Sequence, residues 1–246
     1  MGEIAVALSK KYDVNVICGP EIYDASKPRT NDDVRSHDEY NVIRTGTHSY
    51  NKNSVRDRIT SACRTTLALY RLAKQHIKDG DNVLMVTNPV LLPPAICHLR
   101  TKRNFRLNIL VHDVFPENTK AARIRLPLYK AIKHIYDKAY RKADKLIVLG
   151  RDMADVMSRK TDNRVECRII ENWGDFEGIH ERPMPGGDRV IVQYAGNIGR
   201  VQGLDRIVES LPDNVDLHFY GSGAMKNTLK NYHKPNVFFH DPYYRS

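Results

Sequence analysis

The sequence predicts an α/β protein of two doubly wound parallel domains, the second incomplete, and three observations lead there. Continuous apolar runs of strand length alternate with amphipathic helical patterns along the 246 residues, as they do where a parallel sheet is covered by helices on both faces. A stretch rich in Pro, Gly and charge interrupts that alternation. It splits the chain into an N-terminal domain, residues 1–176, a linker, 177–188, and a C-terminal part, 189–246. Three strands after the linker are too few for a covered α/β domain, so a long apolar face is expected to lie bare.

The elements follow in order. Ile4, Ala5 and Leu8 share one face of a helix over Gly2–Lys11, and Val14, Val16 and Ile17 mark a strand over Asp13–Cys18. Such domains open with a strand, so either the start is truncated or another element takes that edge. Pro20–Tyr40 is polar and reads as a long loop, a binding loop or plain disorder, before a short strand at Asn41–Thr45. Val55, Ile59, Ala62, Cys63, Thr66, Leu69, Tyr70, Ala73 and Ile77 recur at helical spacing and predict a helix over Ser54–Lys78. Strands over Asn82–Thr87 and Leu107–Val111 flank a helix over Leu91–Thr101. Arg123–Asp144 is a basic amphipathic helix, Lys145–Leu149 a buried strand, and a short helix from Gly150 to Ser158 precedes a strand over Cys167–Ile170. Beyond the linker, Val190–Tyr194 reads as a strand buried on both faces, followed by a helix over Val201–Leu211. Strands over Asp216–Tyr220 and Val237–His240, with a helix between them through Tyr232, complete the pattern.

Composition narrows the function classes. Mean hydropathy is −0.52, no apolar run approaches the ~18 residues of a membrane span, and no signal peptide opens the chain; a cytoplasmic location is expected. Cys18, Cys63, Cys97 and Cys167 are scattered without a Cys-x-x-Cys pair and are expected as small buried hydrophobes, with no metal role. A net charge of +10 points to an anionic partner: nucleic acid, an acidic membrane surface or a phosphorylated substrate.

Two stretches carry candidate chemistry. In Tyr194-Ala-Gly196-Asn197-Ile-Gly199-Arg200, with Gly203 beyond, glycines let backbone amides approach an anion, a helix N-terminus adds positive potential and Arg200 adds a full charge. Any doubly wound fold has such turns, so the bland reading stands beside this one. His112 and Asp113 follow a strand, where open α/β sheets bind ligands. His112 either orients a substrate hydroxyl, with Asp113 holding the imidazole, or caps the helix that follows. The basic helix over Arg123–Asp144 suits either an acidic bilayer surface or a solvated face.

Together, Val111-His-Asp-Val-Phe-Pro-Glu117, Ala143–Gly150, Ile170-Glu-Asn-Trp173 with Asp175, Tyr194–Arg200 with Gln202-Gly-Leu204, and Phe219-Tyr-Gly-Ser-Gly223 resemble the GT-B-fold glycosyltransferases of family 4. Within that family the likeness is to bacterial enzymes that build surface polysaccharide and O-antigen. The resemblance implies two Rossmann-like domains, a UDP- or GDP-type nucleotide-sugar donor, a lipid-linked glycan acceptor, retention of anomeric configuration, no metal and no cofactor. It implies further that His112 and Asp113 serve catalysis, and that Gly196, Asn197, Gly199, Arg200, Gly221 and Gly223 serve donor binding. An anionic membrane surface at the inner face is the expected partner, and nucleic acid is not.

The chain departs from the family at three places. The opening strand with its glycine-rich loop is absent before Gly2, Gln202 stands where many members carry lysine, and the acidic Glu-x7-Glu segment does not appear. Truncation at both ends is therefore expected, and the alternative to a transferase is an inactive fragment acting only as a nucleotide- or membrane-binding module. Hydride transfer on NAD is disfavoured because Gly196, Gly199 and Gly203 do not form Gly-x-Gly-x-x-Gly. Nucleic-acid binding lacks a recognised reading module.

Overall fold

The computed structural model describes residues 2–19, 40–46, 55–121, 124–174, 187–200 and 202–242. Most of the expected long loop after Pro20 and most of the expected linker at 177–188 lie outside the described residues. The chain divides into two compact units, Met1–Lys120 with Arg125–Trp173, and Ala121–Ile124 with Gly174–Ser246. Every described strand pair is parallel.

In the first unit the order is α1 (Gly2–Ser9), β1 (Asn15–Cys18), β2 (Asn41–Arg44), α2 (Val55–His76), β3 (Asn82–Val86), α3 (Leu92–Arg100), β4 (Arg106–Val111), α4 (Glu117–Ala121), α5 (Tyr129–Tyr140), β5 (Lys145–Val148), α6 (Arg151–Lys160) and β6 (Glu166–Ile169). β1 pairs with β2, and a second sheet runs β3-β4-β5-β6. The apolar strands sit at its centre: Leu107, Ile109 and Val111 of β4 and Leu146 and Val148 of β5 are fully buried. Helices cover them with Leu69 and Ala73 of α2, Ile96, Cys97 and Leu99 of α3, Tyr136 and Tyr140 of α5, and Met157 of α6. Burial pushes the Cys97 thiol up to about 12, against the pull of Lys142 and Arg100, so it stays protonated and packs as a small hydrophobe.

The second unit runs β7 (Val190–Ala195), α7 (Leu204–Glu209), β8 (Val215–Tyr220), α8 (Lys226–Lys230) and β9 (Val237–His240), with sheet order β7-β8-β9. Its small core is Ile198, Leu204, Val208, Leu217, Phe219 and Leu229. Strand alternation turns His218 of β8 to the opposite face. There its ring stacks on Phe238 at 4.6 Å and on His240 at 5.1 Å.

Four expectations are corrected. The strand beginning at Val190 is not buried on both faces: Val190, Ile191 and Val192 are 53%, 47% and 41% exposed, because β7 is the edge strand of a three-stranded sheet. The cysteines are not uniformly buried, since Cys63 is exposed and Cys18 and Cys167 are half-buried. The basic helix is shorter than Arg123–Asp144. Leu128 adopts a left-handed backbone (φ 54°), which no α-helix continues through, so α5 starts at Tyr129. The helix expected from Val201 begins at Leu204, because Gly203 is left-handed (φ 62°).

Candidate functional site

The first unit gathers its candidates at the carboxyl edge of the sheet β3-β4-β5-β6, where strand ends hand over to loops. β4 ends at Val111, so the next two residues, His112 and Asp113, leave the sheet as an exposed turn. Thr87, buried just past the end of neighbouring β3, fixes that turn: its Oγ1 accepts the backbone N–H of His112 and of Asp113, each at 3.2 Å. Phe115 packs on the ring of Tyr136 with centroids 4.8 Å apart, and the Tyr136 hydroxyl donates to the Val90 carbonyl at 2.7 Å. Burial raises the Tyr136 phenol well above its ordinary range, so it remains a donor. Pro116 leads into α4 at Glu117, whose carboxylate meets the buried ammonium of Lys160 at 2.8 and 2.9 Å. His112 and Asp113 are thus carried on a turn held from below, with their own side chains directed to solvent.

The second unit gathers the other candidates at the carboxyl edge of β7 and β8. The loop after β7 and the loop after β8 are knitted backbone to backbone: Gly196 N–H donates to Tyr220 O, Ile198 N–H to Ser222 O and Met225 N–H to Ile198 O, at 2.9–3.0 Å. Glycine is required at the crossing. A Cβ at Gly221 would lie 2.0 Å from the Gly196 carbonyl oxygen, and one at Gly223 would lie 2.3 Å from that of Ile198. Both have positive φ, 155° and 157°. Asn197 closes the knot, with its side-chain Oδ1 2.7 Å from where a Gly223 Cβ would stand, while its carbonyl accepts the Tyr194 hydroxyl at 2.9 Å.

Gly196, Asn197, Gly199, Gly221 and Gly223 are therefore brought together, with Arg200 exposed at the end of the same loop. Part of the cradle of amides expected for an anion is engaged within the protein. The amides of Gly196, Ile198 and Gly199 already donate to Tyr220, Ser222 and Asn197 carbonyls, so these residues serve loop packing, and the Arg200 guanidinium is exposed beside them. α7 has six residues, too short for a substantial N-terminal dipole.

Two side chains that sequence reasoning passed over matter here. Thr87 carries a signal only in hindsight, as a hydroxyl directly after a strand. Lys226 reaches across the second edge: its Nζ donates to the Gly221 carbonyl at 3.1 Å and the His240 carbonyl at 3.0 Å, joining the ends of β8 and β9. Nothing in local spacing points to either.

Comparison with known proteins agrees with the architecture. Sucrose-phosphate synthase from Thermosynechococcus elongatus superimposes with a TM-score of 0.66 over 97% of this chain and 63% of its own, at 12% identity. The chain has the GT-B fold. A sequence relative, a probable glycosyltransferase of Pseudomonas aeruginosa named WbjE, is 31% identical over a 173-residue alignment that covers 63% of this chain and 43% of that protein. The chain thus spans less than half of the relative it matches. TarM aligns over 72% of this chain and 36% of its own at 19% identity, with a TM-score of 0.49. No protein-family model matches.

Proposed function

We propose that the chain is part of a glycosyltransferase of surface-polysaccharide synthesis, moving a sugar from a UDP- or GDP-type nucleotide donor to a lipid-linked glycan with retention of configuration. The observation that carries this reading is the knotted pair of loops at the carboxyl edge of β7 and β8, bearing Arg200, in a GT-B fold. The named activity of the 31% identical relative supports it. In such a transfer the acceptor hydroxyl oxygen bonds to the anomeric carbon, and the bond from that carbon to the diphosphate oxygen breaks. The nucleoside diphosphate leaves with the electron pair and the hydroxyl proton is released. Arg200 is the residue proposed to stabilise charge on the leaving diphosphate, a role that in a preorganised site is worth about 3–4 kcal/mol of barrier. Gly196, Asn197, Gly199, Gly221 and Gly223 shape the loops that present it. His112 is proposed to orient a sugar hydroxyl, with Asp113 as its polar neighbour. The domain limits proposed are residues 1–176 and 189–246, and the inner face of an anionic membrane is the proposed working surface.

Thermal melting with UDP, GDP and their sugars tests this. One nucleotide should raise the midpoint for the wild type, because a ligand at 100 times its Kd adds about 2.7 kcal/mol to stability. Arg200→Ala should melt like wild type alone and lose most of that response. A cooperative melt indifferent to every nucleotide would move the reading to a non-catalytic module.

A further inference from the structure

Beneath the His112 turn lies a four-membered charge cluster that the proposed chemistry does not use. Lys160, the last residue of α6, is 2% exposed. Its Nζ donates to both oxygens of Glu117, at 2.9 and 2.8 Å, and lies 2.7 Å from Asp137 Oδ1 on α5. The Tyr140 ring lies under the same ammonium, with the centroid 5.8 Å away. Lys133, one turn before Asp137, pairs with Asp137 Oδ2 and stands 3.5 Å from Glu117 Oε1. Two ammonium groups and two carboxylates balance to zero. Lys133 is held charged: burial works to lower its pKa, but its hydrogen bonds to Asp137 and Glu117 and their charges outweigh that and raise it.

Such a cluster is a poor way to gain stability. Taking charges out of water costs several kcal/mol per ion, and apolar residues of the same volume commonly serve as well or better. What buried charges provide is direction, since each oxygen must meet its donor. Glu117 is the residue so directed, and it stands five positions after His112 on a turn with no regular structure between them. Thr87 holds the start of that turn, Phe115 is seated on Tyr136 in its middle, and Lys160 holds its end.

We propose that Lys160 is a positioning residue: anchored at the end of α6, it fixes the Glu117 carboxylate and through it the path of the His112–Pro116 turn at the edge of the sheet. The proposal deepens the transferase reading, because it takes that turn as the one presenting His112 to the sugar. Lys160 itself touches no substrate; it acts by setting where the turn can go. The cluster draws on α4, α5 and α6 at once, so a shift in any of these helices would be passed to His112.

Hydrogen exchange on the 246-residue chain tests the positioning without any substrate. In Lys160→Met, amides of the 112–119 segment should exchange about tenfold faster while those of β5 stay within about twofold of wild type. Lys160→Arg, which keeps the charge, should restore most of the protection. A balanced double variant, Lys160→Met with Glu117→Gln, leaves Lys133 paired with Asp137 and so relieves the unpaired buried charge while keeping the fold. It should melt close to wild type and still show the fast turn. Unchanged exchange in the turn, or an equal rise in β5, would overturn the proposal. Turnover adds a second arm: if the wild type transfers sugar, Lys160→Met should lower kcat about tenfold or more with donor KM within about threefold. A rise in donor KM with kcat unchanged would count against positioning. A wild type that turns over no donor would remove the transferase reading, while the exchange result would still decide what Lys160 does to the turn.

Discussion

At the scale of single residues, the glycines of the second unit are held to their identity by the backbone that crosses them. In the sequence Gly196, Gly199 and Gly203 are the glycines that let an anion approach the backbone, and Gly221 enters through the family resemblance alone. In the structure the nearest thing to Gly221 is the Gly196 carbonyl, and the amides of Gly196 and Gly199 are spent within the protein. A methyl group at 221 would have to occupy space 2.0 Å from that oxygen, on a backbone with φ 155°. Neither neighbour is a side-chain tip that can swing away; both are backbone. Gly221→Ala should therefore cost about 2–4 kcal/mol, combining backbone strain with forced separation of the loops. Urea denaturation followed by tyrosine fluorescence and circular dichroism measures it. An unchanged midpoint would mean that the two loops are not knitted as described.

At the scale of elements, what was legible tracked what local sequence determines. Apolar runs gave every described strand, and three- and four-residue spacing gave α2, α3 and α5, because burial on one face leaves a periodic trace. α4, only five residues long with the sequence Glu-Asn-Thr-Lys-Ala, left none. The exposure of β7 was illegible for a different reason: Val190-Ile-Val has the composition of a central strand, and only the strand order makes it an edge. The site was legible as two strand ends, His112-Asp113 and Gly196–Arg200, while Thr87 and Lys160 act from elements about 25 and 43 residues away in sequence and leave no local sign. Long-range polar joints of this kind also tie elements together. Asp144, just before β5, accepts from Arg100 at the end of α3 at 2.7 Å and from the Leu107 amide of β4 at 2.6 Å. Partial burial pushes its carboxyl up, but the Arg100 guanidinium and the Leu107 N–H outweigh that and hold it below the usual carboxylate range. A carboxyl depressed in the folded state contributes stability that is complete above its unfolded pKa, near 3.9, and is lost as pH falls through the folded value. Asp144→Asn should lower the melting midpoint at pH 7 by about 2–4 °C, for about 1 kcal/mol after allowing for solvent screening of a carboxylate that is 37% exposed. The gap between variant and wild type should narrow as pH falls below the ordinary carboxylate range and close once the folded carboxyl is protonated. A gap that persists unchanged into acid would show that the joint works through shape and not charge.

At the scale of the whole molecule the net charge of +10 is the property that any partner meets first. At physiological salt the field of exposed charges fades within about 8 Å, so what counts is where cations and apolar groups lie side by side. Leading into and along α5, Leu128 is 80% exposed and Ile135 54% exposed, and Lys130, His134 and Lys138 are exposed among them. No described helix is long and apolar enough to cross a membrane. An acidic bilayer attracts each such lysine by about 1 kcal/mol, and apolar side chains lying at headgroup depth add to it. The chain should therefore cosediment with phosphatidylcholine vesicles that contain phosphatidylglycerol and not with phosphatidylcholine alone, and raising the salt should release it. Removing two of the cations, Lys130→Gln with Lys138→Gln, gives up about 2 kcal/mol, so binding should weaken roughly 30-fold. Both side chains are exposed, and the fold does not depend on them, so the melting midpoint should stay where it was. Equal binding to neutral vesicles would assign the interaction to Leu128 and Ile135 instead. Binding that survives the double substitution would move the charged face elsewhere on the molecule.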